Sequence, residues 1–433
     1  MGRLESGLLG LALAALCPTG TIAAQAGVTA IRAGRLVDVE RGEIRRDQVI
    51  LVRGERIEAV QPGTARLPGA ARTIDLSRYT VLPGLVDLHS HLIGEVGLSD
   101  VLLPIQRTGA QEAFSGVRNA RATLLAGFTT VRDVGTYRAF VDAALRDAIN
   151  DGTVIGPRMA VAGAYVTVST GGGEVVGAAP DVVIPAEFRF GVANSTDQMR
   201  ERVRALLNGG ADFIKVIATG AVLTKGTKPG VSEYTEDQLR AAVEQAAEYG
   251  SYVTAHAHGA EGIKRAIRAG VRSIEHGSLI DDEAIALMKE RGAWLVADIY
   301  NGDHIATAGR AQKWPEEFLR KNDETTEAQR AGFRKAVAAG VKIGYGTDSG
   351  VYPHGMNAKQ LPYMVKYGMT PMQAIQSATV SAARLMGWED RVGSLGPGKL
   401  ADIIAVEGDA LADLGSFMKV GFVMKGGTVY KAP

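Results

Sequence analysis

The chain has 433 residues, with 48 Lys and Arg against 47 Asp and Glu and a formal net charge of +1. That balance gives no electrostatic reason to expect nucleic acid or an anionic membrane as a partner. Beyond the first thirty residues no apolar run is long enough to span a bilayer.

Residues 1–26 carry Arg3, an apolar run from Leu8 to Leu16 and the small-residue pattern Ala24-Gln25-Ala26. This is the layout of a secretory signal peptide, so an exported, periplasmic or secreted protein is expected. Cys17 is the only cysteine, and Leu16 before it is bulkier than a lipoprotein site needs. With the segment removed, the mature chain can form no disulfide.

From Val28 to Tyr79 the chain reads as short strands and charged or glycine turns, and "VGSLGPGKLADIIAVEG" and "VGFVMKGGTVYKA" near the other end have the same character. A single β-sandwich domain built from residues 27–80 and 392–433 is expected. Between them, residues 81–391 alternate strand and helix with short connections, the pattern of parallel βαβ units. The strand candidates are "VLPGLVDLHSHL", "FTTVRDVG", "RMAVAGAYV", "DFIKVIATG", "SYVTAHAHG", "RSIEHGS", "AWLVADIY" and "VKIGYGTDSG". Amphipathic segments such as "TDQMRERVRALLNGG" and "EGIKRAIRAG" separate them and end in glycine, as helices often do. Eight such strands predict an α/β (β/α)₈ TIM-like barrel with its active site at the strand C-terminal ends. A doubly wound open sheet is the alternative.

The polar residues gather at those ends. His89 and His91 close the first strand, Lys215 lies in the fourth, His256 and His258 close the fifth, Glu275 and His276 the sixth, and Asp348 follows the eighth. Five of the seven histidines therefore fall in three strand-end clusters. Taken singly, each has an ordinary structural reading; a lone strand-end Asp is usually a helix N-cap. Together, imidazoles and a carboxylate converging on one barrel mouth predict a divalent-metal centre suited to zinc or a similar ion. Lys215 interrupts the apolar run Phe213, Ile214, Val216, Ile217, where a bare ammonium is costly. Near two cations its amine can react with carbon dioxide, and the resulting carbamate can bridge both. An ion pair with Asp348 or Glu275 is the alternative.

The segments "LPGLVDLHSHL", "DFIKVIATG", "TAHAHG", "SIEHGS", "GYGTDSG" and "GSLGPGKLADIIAV" resemble the amidohydrolase superfamily, in order and over nearly the whole mature chain. More narrowly they resemble its binuclear carbamylated-lysine branch, which includes Xaa-Pro dipeptidases and ochratoxin-hydrolysing amidohydrolases. The resemblance implies His89 and His91 on the more buried ion, His256 and His276 on the other, Lys215 as the bridging carbamate and Asp348 completing the buried ion's shell. It also implies that His258 faces the substrate, and it suggests a homo-oligomer, of octamer type.

Two cations would lower the pKa of a shared water and polarise an amide carbonyl, while Asp348 would carry the proton to the departing amine. The expected substrate is a small amide or dipeptide whose leaving group is an amino acid: an N-acyl amino acid, an Xaa-Pro dipeptide or an ochratoxin-like N-acyl phenylalanine. His258 and Tyr234 are the candidate substrate-binding residues. Tyr234 can alternatively be a hydrophobic staple before the helix opening at Thr235. The loop Ser169–Glu174 lacks the lysine of a phosphate-binding loop and reads as an active-site rim. A lactonase or phosphotriesterase on the same site is the alternative function. A deaminase would leave Lys215 idle, and a non-catalytic scaffold would be expected to have lost ligands.

Overall fold

The computed structural model describes residues 27–69, 71–94 and 100–433. The segment read as a signal peptide lies outside the described residues. Four strands open the fold: β1 (Val28–Asp38), β2 (Glu43–Arg53), β3 (Arg56–Pro62) and β4 (Arg72–Pro83). Next come β5 (Leu85–Ser90), β6 (Phe128–Asp133), β7 (Arg158–Val161), β8 (Tyr165–Val166), β9 (Ile214–Ile217), β10 (Val253–Gly259), β11 (Ser273–Leu279), β12 (Trp294–Ala297) and β13 (Lys342–Tyr345). The last three are β14 (Ile403–Glu407), β15 (Phe422–Lys425) and β16 (Thr428–Lys431).

Both chain ends enter one seven-stranded sheet, in the order β16-β15-β14-β4-β1-β2-β3. The twelve-residue β4 makes this possible, because it pairs parallel to β1 and then antiparallel to β14. A Cβ at Gly34 would collide with the Ser77 carbonyl, so the crossing of β1 and β4 needs glycine there. The expected sandwich of two facing sheets is thus corrected to one hydrogen-bonded sheet that curls on itself. Its halves share a core of Ile31, Ile50, Val52, Ile403, Phe422 and Met424. Its β3 edge is tied back through Ala401 N–H to Glu55 O (2.7 Å) and Ile57 N–H to Lys399 O (2.9 Å).

Each of the eight expected segments of the middle contains an observed strand. β8 to β13 form a six-stranded sheet and β5 to β7 a three-stranded one, both parallel throughout. The third expected strand is split into β7 and β8 around Gly163, whose φ is +76° and whose N–H donates to the Asp142 carboxylate. Beyond β13, Thr347 and Asp348 N–H both donate to His89 O (3.2 and 2.7 Å), and His91 N–H donates to Ser349 O (2.8 Å). The helices Thr196–Asn208, Glu236–Glu248, Ala260–Ala269 and Asp282–Arg291 form where expected. Ser195, Thr235 and Asp281 cap three of them with side-chain oxygens, and their apolar faces cover the parallel strands. Among the described residues no helix is long and apolar enough to cross a membrane.

Candidate metal centre

Parallel strands present all their C-terminal ends on one side, and there a cavity of about 200 Å³ is lined by His89, His91, Lys215, His256, His276 and Asp348. The six expected ligands are therefore brought together, although they span 260 positions of sequence from His89 at the end of β5 to Asp348 beyond β13. His89, His91 and Asp348 offer ligand atoms within 4.8 Å of one another, as do His256, His258 and His276, and as do His276, Asp298 and Asp348. Asp348 Oδ1 stands 3.5 Å from His89 Nε2 and 3.3 Å from His91 Nε2. The ring centroids of His256 and His276 are 4.4 Å apart. His276 (φ 69°) and Asp348 (φ 56°) both adopt the left-handed backbone region, uncommon for residues with a Cβ. Strain of this kind persists where the surroundings over-determine a geometry, and here it falls on two of the expected ligands.

A layer of buried polar groups orients these side chains. Arg132 and Glu275 are fully buried, and Arg132 Nη2 donates to Glu275 Oε1 at 2.6 Å. Glu275 Oε2 lies 2.8 Å from His89 Nδ1, and the Thr254 and Ser273 hydroxyls donate to the same carboxylate. Burial raises the Glu275 carboxyl, but Arg132 and Lys215 hold it below the usual range, so it remains an anion. An anionic acceptor at Nδ1 places the proton there and turns the Nε2 lone pair of His89 toward the cavity. Asp298 acts likewise on His276, 3.1 Å from Nδ1. It in turn accepts from Gln329 Nε2 (2.8 Å) and Asn301 Nδ2 (3.1 Å), and Asn301 Nδ2 also donates to Asp348 Oδ2 (3.0 Å). Glu275 was visible in sequence as the neighbour of His276 and as an alternative ion-pair partner of Lys215, whereas Asp298, Asn301, Gln329 and Arg132 were not singled out. Arg132 in "FTTVRDVG" carried the same signal as Lys215, a charge inside an apolar strand.

Burial, helped by Lys215 for His89 and by His276 for His256 and His258, holds these three imidazoles well below their ordinary range. They are therefore neutral at pH 7, the form that binds metal. Burial opposes the charge of His91 too, but its contact with Asp348 prevails and raises it. Burial brings the Lys215 amine down to about 8; Arg132 acts in the same direction and Glu275 opposes it. His256 Nε2 is buried without a hydrogen-bond partner. A buried polar atom left so is costly, and a divalent ion would satisfy it. With imidazoles, three of them held neutral, and carboxylates around the cavity, the donor set fits one or more ions of the zinc type.

Two expectations change. Tyr234 does not line the cavity: it is 2% exposed within the main core, and its hydroxyl donates to Ala193 O at 3.0 Å. It precedes the Thr235 cap and packs in the same core as Leu239, the arrangement of a hydrophobic staple, so the substrate-binding assignment is withdrawn. His258 does line the cavity, but its Nδ1 is engaged by Ser278 Oγ at 2.7 Å and its ring stands 4.6 Å from His256. It belongs geometrically with the histidine cluster. The loop Ser169–Glu174 places Gly172, Gly173 and Glu174 on the cavity wall.

The sequence profile of the Amidohydrolase family matches residues 80–430. Ochratoxinase of Aspergillus niger is 32% identical over 432 residues, covering 94% of this chain and 88% of that protein. Among solved structures, a Xaa-Pro dipeptidase with methionine bound in its active site superposes with a TM-score of 0.88 at 39% identity, covering 94% of this chain and all of that one. A prolidase complexed with N-methylphosphonate-L-proline gives a TM-score of 0.87 at 30% identity, covering 94% and 100%.

Proposed function

The chain belongs to the amidohydrolase family and is a hydrolase, and from that premise we propose that it cleaves amides whose leaving group is an amino acid, using two divalent ions. The observation that carries this reading is the convergence of His89, His91 and Asp348, and of His256, His258 and His276, on the cavity that Lys215 also lines. In this reading the strands β5 to β13 close into one (β/α)₈ barrel, sealed beside β13 by the bridge between Ser90 and Ser349. His89, His91 and Asp348 would hold one ion and His256 and His276 the other. Lys215, as its carbamate, would hold both, and zinc suits the donors.

When bound, the ions would supply an activated water and a Lewis acid for the substrate carbonyl. The chain's own groups do the rest. Glu275 and Asp298 fix the tautomers of His89 and His276. Asn301 holds Asp348 Oδ2, leaving Oδ1 turned to the histidines, so the carboxylate can take a proton on one side and release it to the leaving nitrogen. An amine leaves poorly unless protonated, so this transfer is what amide cleavage demands of Asp348. The similarity to a Xaa-Pro dipeptidase, a proline-phosphonate-bound prolidase and an ochratoxinase supports an amino-acid leaving group. Lactone or phosphotriester hydrolysis is not favoured by these relatives.

The test is a rate comparison with the zinc-loaded protein on N-acyl phenylalanines, Xaa-Pro dipeptides, a lactone and an aryl phosphotriester. Hydrolysis of one of the first two classes at the highest kcat/KM is expected. A faster lactone or phosphotriester reaction would overturn the assignment.

A further inference from the structure

A substrate with a free carboxylate calls for a counter-charge in the cavity wall, and the Nδ1 of His258 is already engaged by Ser278 Oγ. Outside the metal centre, the wall's acidic side chains are committed. Glu112 lies 3.4 Å from Arg138, Glu174 pairs with Arg189, and Asp100 accepts from Leu102 N–H (3.0 Å) and Gln106 Nε2 (2.9 Å). Lys225 also borders the cavity, exposed to solvent, and among the described residues its amine has no hydrogen-bond or ion-pair partner.

The backbone that carries it is held on both sides. Lys321, 2% exposed, donates to Thr224 O at 2.8 Å and pairs with Glu317 at 2.6 Å. The Thr224 hydroxyl donates to Gly172 O (2.7 Å), Gly226 N–H to Glu317 Oε1 (2.9 Å), and the Thr227 hydroxyl to Ala221 O (3.0 Å). The positions flanking Lys225 are thus fixed while its own charge is left for something else. The neighbouring wall is apolar, with Leu223, Ile305, Phe318 and Val351 on the cavity. Ile305 opens a π-helical turn, Ile305–Gly309, of a kind that often occurs at functional sites.

We propose that Lys225 is a specificity-determining residue: the counter-ion for the free carboxylate of the substrate, whose bulky apolar group lies against Leu223, Ile305, Phe318 and Val351. The proposal rests on the amide-hydrolase reading above and assigns the carboxylate to a different residue from His258.

The experiment measures kcat/KM of the zinc-loaded enzyme for an N-acyl phenylalanine and for its carboxamide, in the unmodified protein and in Lys225→Met, Lys225→Glu and Lys225→Arg. Lys225→Met should lower the carboxylate-to-carboxamide ratio about tenfold, mainly through KM, since a hydrogen bond to a charged group is worth that much and exposure reduces it. Lys225→Glu should lower it further and Lys225→Arg should largely keep it. The preference of the unmodified enzyme should also shrink with rising salt, because an exposed charge is screened. An active enzyme whose ratio is the same in the Met and Glu variants overturns the role of Lys225 alone. An unmodified, zinc-loaded enzyme that cleaves neither amide overturns the functional reading, and this inference with it.

Discussion

Arg132 and Glu275 show how one buried pair serves both folding and site geometry. Neither touches solvent, and the carboxylate is shared between the guanidinium and His89. Glu275→Gln keeps the shape and one acceptor but leaves Arg132 buried without a counter-charge. Breaking a buried pair from one side costs about 3–5 kcal/mol, and loss of a group that orients a metal ligand costs about 10–100-fold in metal affinity. Urea unfolding should therefore show a loss of that size, with weaker zinc retention on dialysis. A variant within about 1 kcal/mol of the parent and fully metal-loaded would show that His89 needs no such partner. At this scale the sequence was informative wherever a residue type contradicted its surroundings. Lys215 stood out against its strand, and His89 and His91 stood out by alternation. Asp298, by contrast, ends a strand as many N-capping aspartates do, and only its contact with His276 distinguishes it.

The elements were legible because both periodicities are regular, but where a strand would break and how a sheet would curve depended on contacts between distant segments. The split of the third strand follows from Asp142 capturing Gly163 N–H, and the single curled sheet follows from the length of β4. Tyr234 was misplaced for a similar reason, since a residue just before a helix can face the site or the core and local pattern does not decide. One residue earlier, Glu233 bridges two loops, both of its oxygens lying 3.0 Å from Gly172 N. Burial pushes its carboxyl up to about 7, with the Gly172 bond opposing. The folded state then binds a proton more tightly than the unfolded chain, so stability falls as pH rises from the ordinary glutamate range to about 7. Glu233→Gln removes the ionisation while keeping an acceptor for Gly172. It should be more stable than the parent by about 1–3 kcal/mol at pH 8 and nearly equal at pH 5. Urea unfolding at both pH values measures this, and an equal difference at the two would show that the carboxyl is not held protonated by folding.

At the scale of the whole molecule, export and the linkage of ion binding to folding each lead to a measurable outcome. If residues 1–26 direct export, protein recovered from its native host should begin near Gly27. An intracellular product beginning at Met1 or Gly2 would dismiss that reading. Within the fold, the strand ends need something to hold them together. Five histidines, His89, His91, His256, His258 and His276, and three carboxylates, Glu275, Asp298 and Asp348, crowd one end of the parallel strands together with Lys215 and Arg132, and drawing so many polar groups out of water opposes folding unless their partners satisfy them. The proposed ligands, drawn from β5, β9, β10, β11 and the segment after β13, come together only in the folded state, so ion binding should be linked to folding of the whole parallel sheet. Free ion at a hundred times its dissociation constant adds about 2.7 kcal/mol, which for a chain of this size corresponds to a rise of roughly 5 °C or more in Tm when two sites fill. Protein with about two zinc ions per chain is expected to be active, and a chelator should abolish activity and lower Tm together. Acidification should weaken binding, since the contact of His91 with Asp348 favours a proton on that imidazole. Lys215→Ala should retain at most one ion and show a smaller Tm response, with partial recovery on adding a short carboxylic acid able to replace the carbamate. A metal-free preparation with full activity and an unchanged Tm would remove the basis for a metal centre at these strand ends.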